Sequence, residues 1–331
     1  MNLKDNCSRN NKNKNYAKRN STVYELIKLG LLRLKDANIQ NAFNESFYIM
    51  KYVLKKTPEE TIMSYGDKIA ANKINLFERF IERRSKREPL AYIVNKKEFY
   101  SLDFFVGKSV LIPRPDTECL VDEAIQEIKR LSGELRRKIR VLDIGTGSGA
   151  IAISIAKNSD NVIIYAADNS KRSLYATRKN IIANAVGDKV IPVYFNILTL
   201  KTDISFKGKD FNNNFDAVDY AGDFDNFDII ISNPPYIETG DLETLEDDIK
   251  LYEPLKALDG GKDGLKFYRI ILDAVSLKTK NKKAVILEID YRKKNQIQAL
   301  FNEKFKKLKF KNITFISDLN YKERAVKITY G

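Results

Sequence analysis

The chain has 331 residues, 43% of them hydrophobic, and a net charge of +14 at neutral pH. That length and apolar content predict a globular protein of about two domains. The chain contains no His, which excludes Ser-His-Asp triads, Cys-His pairs, HExxH zinc sites and His proton shuttles. Its two cysteines, Cys7 and Cys119, are too few for a zinc cage or a disulfide framework, so no metal site is predicted.

Membrane and secretion signals are missing from the sequence, whereas positive charge is concentrated near its ends. The longest stretch without a charged residue, Ile144–Ala156, has 13 residues, and a membrane-spanning helix needs ~20. No apolar signal-peptide core follows the start, so we expect a cytoplasmic protein.

Residues 1–35 carry a net charge of +7 and residues 278–311 a net charge of +9. These segments indicate a nucleic-acid or ribosome neighbour, although a lysine-rich solvated surface also explains them.

The first part of the chain predicts a tail followed by helices. Residues 1–20 are rich in Asn and Lys and poor in apolar side chains, which is typical of a disordered tail. Apolar residues then recur at helical spacing from Val23, with Ser21 or Thr22 as the N-cap. A second helix is expected over about 40–55.

Two further helices complete a small helical domain over 21–88. A short one is expected after Thr57, because Pro58 suits a first helical turn. Another is expected to begin at Asn75, with Glu78 three residues later as its capping-box partner.

The pattern changes at Pro89, which we expect to end the helices. Residues 91–94 and 98–106 alternate apolar and polar side chains with aromatics, which predicts a β-hairpin within a linker over 89–112. The last domain, 113–331, should open with a helix over about 116–131.

Near-continuous apolar runs then alternate with helical segments, which is typical of a parallel sheet with helices on both faces. Expected strands are 140–144, 162–167, 190–195, 228–232 and 284–289, and expected helices are 150–157, 170–183, 265–278 and 294–305. The last two strands, 312–316 and 324–330, are joined by too short a link for a crossover helix, so they should be antiparallel. The polar segment 200–226 breaks this rhythm and is interpreted as a surface insertion. It lacks the spacing of an EF-hand, which disfavours an acidic metal-binding loop.

A glycine-rich loop follows the first of these strands. The segment from Asp143 to Ala150 reads DIGTGSGA and opens a helix. Glycines there allow a tight turn and close approach of a ligand to the backbone. The pattern fits either a dinucleotide or S-adenosylmethionine. Asp168 ends the next strand, where a carboxylate can accept both ribose hydroxyls of either cofactor or cap the helix that begins at Ser170.

The segment Asn233-Pro234-Pro235-Tyr236 follows the apolar strand 228–232. The two prolines fix the backbone and remove two N–H donors, so the Asn233 side-chain oxygen and the Pro234 carbonyl remain as acceptors. Such an acceptor pair matches an NH2 group, whose nitrogen it can orient towards a sulfonium methyl. Tyr236 can pack on a flat amide or base. No strong general base is needed if the proton leaves after methyl transfer.

Together these motifs resemble class I S-adenosylmethionine-dependent methyltransferases of the amino-methylating branch. The blocks REPLAY at 87–92, EFY at 98–100, LIPRPDTE at 111–118 and YEPLKAL at 252–258 resemble the HemK family of release factor N5-glutamine methyltransferases. The resemblance implies a helical N-terminal substrate-recognition domain, a hairpin linker and a seven-stranded Rossmann-like sheet with its last strand antiparallel. It implies methyl transfer from S-adenosylmethionine to the glutamine of the GGQ motif in class 1 release factors.

The resemblance also implies the site residues. The implied catalytic residues are Asn233, Pro234 and Tyr236, and the implied substrate-binding residues are Asn233, Pro234, Pro235 and Tyr236. The implied cofactor-binding residues are Gly145, Thr146, Gly147, Ser148, Gly149, Asp168, Ile197 and Asn233. At the adenine the family usually has an Asp followed by an aromatic residue, and here it is Asn196-Ile197, which keeps a hydrogen-bonding group but no ring.

Two other substrates remain open at this point. An adenine N6-methyltransferase acting on RNA or DNA uses the same acceptor pair. The basic ends favour it slightly, whereas the RPDTE block and the lack of a recognisable nucleic-acid module disfavour it. A sister family methylates a ribosomal-protein glutamine, but it usually lacks Pro-Asp-Thr after Pro-Arg, so the sequence at 113–118 favours release factors. We expect a protein substrate, no membrane, and no direct binding of nucleic acid. A non-enzymatic binding protein is disfavoured because the motif residues are intact.

Overall fold

The computed structural model describes residues 20–203, 224–276, 284–305, 310–318 and 320–330. The predicted tail therefore lies outside the described residues except for its last residue, and so does most of the predicted insertion. The chain divides into two compact units, which meet in sequence between Val94 and Asn95. None of the described helices is long and apolar enough to cross a membrane.

The first unit is entirely helical among its described residues, as predicted. Its helices are α1 (Val23–Asp36), α2 (Ala42–Leu54), α3 (Pro58–Met63), α4 (Ala71–Ser85) and α5 (Leu90–Val94). Thr22 and Thr57 each cap a helix, and each forms a capping box with the Glu three residues later, at positions 25 and 60. Side chains from α1, α2, α4 and α5 build one apolar core.

Two sequence predictions in this unit are wrong. Helix α4 begins at Ala71 rather than at Asn75, because buried Ile74 already belongs to the apolar stripe that continues at Phe77. Residues 91–94 form α5 and not a strand. Pro89 starts this helix, since its carbonyl accepts the amides of Tyr92 and Ile93, and three consecutive buried side chains replace the expected alternation.

The second unit opens with a hairpin and contains an eight-stranded sheet. The hairpin strands are β1 (Lys97–Phe99) and β2 (Leu102–Phe104). The sheet order is β6-β5-β4-β3-β7-β8-β10-β9, with β3 (Ile139–Ile144), β4 (Val162–Asp168), β5 (Val190–Asn196), β6 (Lys201–Asp203), β7 (Ile229–Ser232), β8 (Ala284–Glu288), β9 (Phe310–Ser317) and β10 (Glu323–Tyr330). Strands β5, β4, β3, β7 and β8 are parallel, and β10 is antiparallel to both β8 and β9, as predicted.

Helices cover both faces of this sheet. They are α6 (Glu118–Glu134), α7 (Ala150–Lys157), α8 (Lys171–Ala183), α9 (Asp247–Lys250), α10 (Lys266–Ser276) and α11 (Lys294–Phe305). Ile229 and Ile231 of β7 point into the core with α6 and α7, whereas Ile230 points into the core with α10 and α11. Burial on both faces explains why the parallel strands are apolar throughout.

The two ends of the polar segment 200–226 belong to the fold, which corrects the prediction that all of it is a surface insertion. Lys201–Asp203 adds β6 antiparallel to β5, as an eighth strand beyond the seven expected. At the other end Phe224 is 2% exposed, and its ring meets that of Phe195 with centroids 6.1 Å apart. Residues 204–223 lie outside the described part of the chain.

Gly30 gives a test of packing in the helical unit. A Cβ there would lie 2.3 Å from Ser46 Oγ and 2.9 Å from both Phe77 and Ile81. We expect Gly30→Ala to lower the free energy of unfolding by about 1–3 kcal/mol through overpacking, despite a gain of ~1 kcal/mol in helix propensity. Thermal and urea denaturation measure the change. Gly133→Ala in α6 is the control, since nothing lies within 4 Å of its Cβ, and equal stability of the two variants would contradict the packing argument.

Candidate active site

The predicted motifs meet at one edge of the sheet. Strands β3, β4 and β7 are parallel neighbours, so the glycine loop after β3, Asp168 at the end of β4 and Asn233 after β7 share an edge. They line a cavity of about 280 Å³. Its wall also includes Gly145, Gly147, Pro234 and Pro235.

The glycine loop presents alternate residues to this cavity. Gly145, Gly147 and Gly149 have φ of 74°, 58° and 83°, the left-handed region that favours glycine. A Cβ on Gly145 would meet no atom within 4 Å, because it would point into open space. A Cβ on Gly149 would lie 3.0 Å from Ile153 and from Thr177, so this glycine serves close packing.

Thr146 and Ser148 are predicted cofactor contacts that the structure places behind the loop. Thr146 Oγ1 donates to Asp143 Oδ2 at 2.6 Å, and the Ser148 carbonyl accepts from Asn180 Nδ2 at 2.8 Å. Neither residue lines the cavity, and neither does Gly149. Burial raises the pKa of Asp143 to about 7. These residues hold the shape of the loop, while Gly145 and Gly147 face the cavity.

Asp168 lines the cavity with each carboxylate oxygen held by a backbone amide. Gly147 N donates to Oδ2 at 3.0 Å and Ser170 N donates to Oδ1 at 2.8 Å. Burial raises the pKa of this carboxyl above its usual value. The side chain that caps α8 is that of Ser170, which accepts from Ser173 N. An ionised carboxylate has about four acceptor positions, so Asp168 can still accept hydroxyls of a ligand.

Ile197 lines the same cavity, whereas the side chain of Asn196 turns back on its own chain. Asn196 Oδ1 accepts from Leu198 N at 3.0 Å. Sequence reasoning missed two aromatic side chains here, since Phe195 on β5 and Phe267 on α10 also line the wall. These two phenylalanines supply aromatic rings to the cavity wall, whereas Ile197 supplies none.

Asn233 lies between this cavity and a second one of about 160 Å³, whose wall includes Leu111, Pro234 and Tyr236. Asn233 Nδ2 donates to Thr117 Oγ1 at 3.2 Å. That bond orients the amide with its oxygen away from Thr117. No local sequence pattern indicates this partner, which is 116 residues away.

The end of the YEPLKAL block and Gly260 just after it lie against the Asn-Pro-Pro-Tyr segment and bond to Ile237, the residue that follows it. Ile237 N donates to Leu258 O at 3.0 Å and Gly260 N donates to Ile237 O at 2.7 Å. A Cβ on Gly260 would lie 2.7 Å from Tyr236 Cα and 2.8 Å from Pro235 O. Only glycine allows this approach, because both neighbours are backbone atoms.

One buried carboxylate joins two of the sequence blocks that define the resemblance. Glu253, from the block at 252–258, is 5% exposed. It accepts from Ile112 N at 3.1 Å and forms an ion pair with Arg114, both from the block at 111–118. This pairing holds Leu111 in the walls of both cavities.

Tyr236 lines the second cavity, and its hydroxyl donates to Glu288 Oε1 at 3.3 Å. Burial raises the pKa of Tyr236 well above its usual value, so the phenol stays protonated at neutral pH. In the part of the chain that the structure covers, no group of three or more His, Cys, Asp or Glu side chains could hold a metal ion.

This sheet order, with a glycine loop after the first parallel strand in the chain and Asn-Pro-Pro-Tyr after the fourth, defines a class I methyltransferase. Comparison with known proteins agrees. Residues 25–94 match the family model of the PrmC N-terminal domain, and residues 125–247 match that of the methyltransferase small domain.

Individual relatives narrow the class to a family. The release factor glutamine methyltransferase of Clostridium acetobutylicum is 34% identical over 82% of this chain and 87% of its own length. That of Clostridium botulinum is 34% identical over 89% of this chain and 94% of its own length. The chain belongs to the release factor glutamine methyltransferase family and is an enzyme. Among solved structures, the release factor-specific protein-(glutamine-N5) methyltransferase of Alicyclobacillus acidocaldarius is 26% identical. It covers 69% of this chain and 99% of its own, with a TM-score of 0.36.

Gly260 tests whether the approach of backbone to backbone sets the position of Asn233. We expect Gly260→Ala to lower the methyl-transfer rate by roughly tenfold or more, because a small displacement of reacting groups is costly. A radiolabelled methyl-transfer assay measures the rate, and circular dichroism checks the fold. Gly240→Ala, at a position where a Cβ meets nothing within 4 Å, should retain the full rate. Full activity of Gly260→Ala would show that the segment tolerates the displacement.

Proposed function

We propose that this enzyme transfers a methyl group from S-adenosylmethionine to the side-chain amide nitrogen of the glutamine in the GGQ motif of class 1 release factors. The observation that carries the proposal is the oriented amide of Asn233 between two cavities. One cavity then takes the cofactor and the other the glutamine side chain. Family membership supports the same substrate. We expect the enzyme to act in the cytoplasm, where translation ends.

The larger cavity fits the cofactor on its own chemistry. Gly145 leaves open space where a side chain would project, and Asp168 supplies buried acceptors for two ribose hydroxyls. Ile197, Phe195 and Phe267 supply an apolar wall for a base. When bound, S-adenosylmethionine supplies an activated methyl group on its sulfonium.

The second cavity suits a narrow side chain that ends in an amide. An amide nitrogen is a weak nucleophile because its lone pair is delocalised. Asn233 Oδ1 and the Pro234 carbonyl each accept one hydrogen of the NH2 group, which orients the nitrogen and stabilises positive charge as it develops there. The protonated product amide is strongly acidic, so its proton passes to water without a dedicated base. The mechanism is thus compatible with a chain that has no His.

We further propose that the helical unit recognises the release factor. A glutamine side chain offers the active site few contacts, so specificity for one protein needs a second surface. The match of residues 25–94 to the PrmC N-terminal domain supports this role.

Changing the exposed Leu32 and Phe43 of the helical unit to Ser should raise KM for the release factor and leave kcat unchanged. An unchanged KM would remove these two residues from the recognition surface.

One assay separates the proposed substrate from the alternatives. Tritiated methyl transfer is measured to purified release factor, ribosomal protein, rRNA and DNA, and mass spectrometry locates the methyl group. We expect label only on the release factor, and none when its GGQ glutamine is replaced by alanine. Label on adenine, or on a ribosomal-protein glutamine in preference, would overturn the proposal.

Asn233 should matter for the methyl-transfer step rather than for cofactor binding. We expect Asn233→Ala to lower kcat by roughly 10²–10³-fold, the usual cost of one aligned polar group at a reacting centre. Affinity for S-adenosylmethionine, measured by calorimetry, should stay within a few fold. Asn158→Ala, which removes an amide that only binds the Ser154 carbonyl at the end of α7, is the control. A wild-type kcat for Asn233→Ala would remove the acceptor mechanism.

Asp168 should matter for the cofactor. Asp168→Ala removes a charged acceptor of two hydroxyls, worth on the order of 2–3 kcal/mol, so we expect Kd for S-adenosylmethionine to rise by roughly 30–150-fold. Calorimetry measures it, and thermal denaturation reports the loss of the bonds to Gly147 and Ser170. Asp160→Ala, two residues before β4 and with a fully exposed side chain, is the control. An unchanged Kd would restrict Asp168 to a structural role.

A further inference from the structure

A carboxyl group that the mechanism above does not use lies directly behind the substrate cavity. Glu288 is the last residue of β8 and is 2% exposed. Its Oε1 accepts from the Tyr236 hydroxyl at 3.3 Å, and its backbone carbonyl accepts from the Tyr268 hydroxyl at 2.7 Å. Its other oxygen, Oε2, is buried and has no hydrogen-bond partner among the described residues. An acceptor without a partner is costly in a protein interior, so Oε2 is open to a hydroxyl that rotates towards it.

Thr117 connects this carboxyl to Asn233. Its hydroxyl oxygen accepts from Asn233 Nδ2 at 3.2 Å, so the hydroxyl hydrogen is left to donate elsewhere. The Glu288 carboxylate is the acceptor available to it, since the Thr117 side chain is one of the groups that act on the pKa of Glu288. Burial raises the pKa of Glu288 to about 7, and the hydroxyls of Thr117 and Tyr236 oppose that rise because they stabilise the charged form.

The direction of these hydrogen bonds decides which way the Asn233 amide faces. An Asn side chain rotated by half a turn would present NH2 to the substrate NH2, and two donors cannot bond. Thr117 selects the productive orientation only while its oxygen accepts from Asn233, which requires that its own hydrogen point to another acceptor. A carboxylate can accept from Thr117 and Tyr236 at once.

On the basis of the proposed function, we propose that Glu288 is a positioning residue for methyl transfer. Its carboxylate orients Tyr236 through a direct hydrogen bond and orients Asn233 indirectly, through the hydroxyl of Thr117. Glu288 itself lines neither cavity. It acts through the two residues that do.

The rate of methyl transfer should therefore depend on whether Glu288 is charged. Protonation removes one acceptor, so kcat should fall as the pH drops through the pKa of Glu288, about 7. The titratable and charged groups that interact with it are Asp116 and Cys119 near the start of α6, Tyr236 after β7, Tyr268 on α10 and Arg324 on β10. Asp290, after β8, acts on Tyr236 and Tyr268. The pKa of Asp143, beside the glycine loop, is also raised. Because its protonation could change cofactor binding over the same pH range, kcat is measured with S-adenosylmethionine saturating.

The first test is Glu288→Gln in the full chain, assayed with release factor and S-adenosylmethionine. Glutamine keeps the size and one acceptor oxygen but replaces the other oxygen by a donor. We expect kcat to fall by roughly tenfold or more while both KM values stay within about twofold. The fall in kcat on the acid side should disappear. Glu127→Gln is the matched control, because Glu127 is a buried carboxylate that pairs with Arg130 and Lys327, and it should leave kcat and the pH profile unchanged.

The single variants of the second test keep Glu288 and do not depend on the folding of a Glu288 variant, and a wild-type kcat in both of them would overturn the inference. Thr117→Val and Tyr236→Phe each remove one hydroxyl from the carboxylate, and each should lower kcat with little change in the calorimetric Kd for S-adenosylmethionine. Combined with Glu288→Gln, their effects should be less than additive, because all act through one group. Wild-type kcat and pH profile in Glu288→Gln, or full additivity of the combined variants, would overturn the inference. A wild-type enzyme that leaves the release factor unmethylated would instead contradict the proposed function.

Discussion

The parallel pairing of β3 with β4 and β7 is the constraint on which the site depends. Ile144 pairs with Ala167 on one side, and Asp143 pairs with Ile231 on the other. Because parallel strands end at the same edge, this register brings three loops together that are far apart in the chain. Gly145 N donates to Ala167 O at 2.8 Å and Ser232 Oγ donates to Ile144 O at 2.7 Å, so the three strand ends are also bonded to one another.

Buried carboxylates organise the loops at that edge. Asp168 holds the glycine loop and the start of α8 through two amides, Glu253 holds the segment around Leu111, and Glu288 holds Tyr236. A buried charge is stable only when it is hydrogen-bonded. The hydrogen bonds that stabilise each buried carboxylate therefore also hold the loops that donate them. Such bonds can make the site rigid.

Glycine and proline remove groups where a side chain or an amide hydrogen would interfere. Gly260 packs against Tyr236 where a Cβ would meet backbone, and Gly145 leaves the larger cavity open. Pro234 and Pro235 have no amide hydrogens, so they add no donors beside the acceptors of the proposed site. In the proposed mechanism, amide recognition thus depends as much on these missing groups as on Asn233 itself.

The sequence by itself determined the element types, the strand ends and the motif residues, because hydrophobic period and local capping act over a few residues. Thr22 and Thr57 cap their helices as their local sequences predict, and every parallel strand was located to within a residue or two. Local patterns also failed where tertiary burial competes with them, as at α5 and at the start of α4.

Only the tertiary structure decided which partners complete the site. Thr117 meets Asn233 across 116 residues, and Ile112 meets Glu253 across 141. It also decided that Thr146 and Ser148 support the glycine loop from behind, and that Phe267 lines the cofactor cavity. These outcomes depend on how strands are ordered in the sheet and on which side of a loop a residue faces, and neither is encoded in the spacing of one segment.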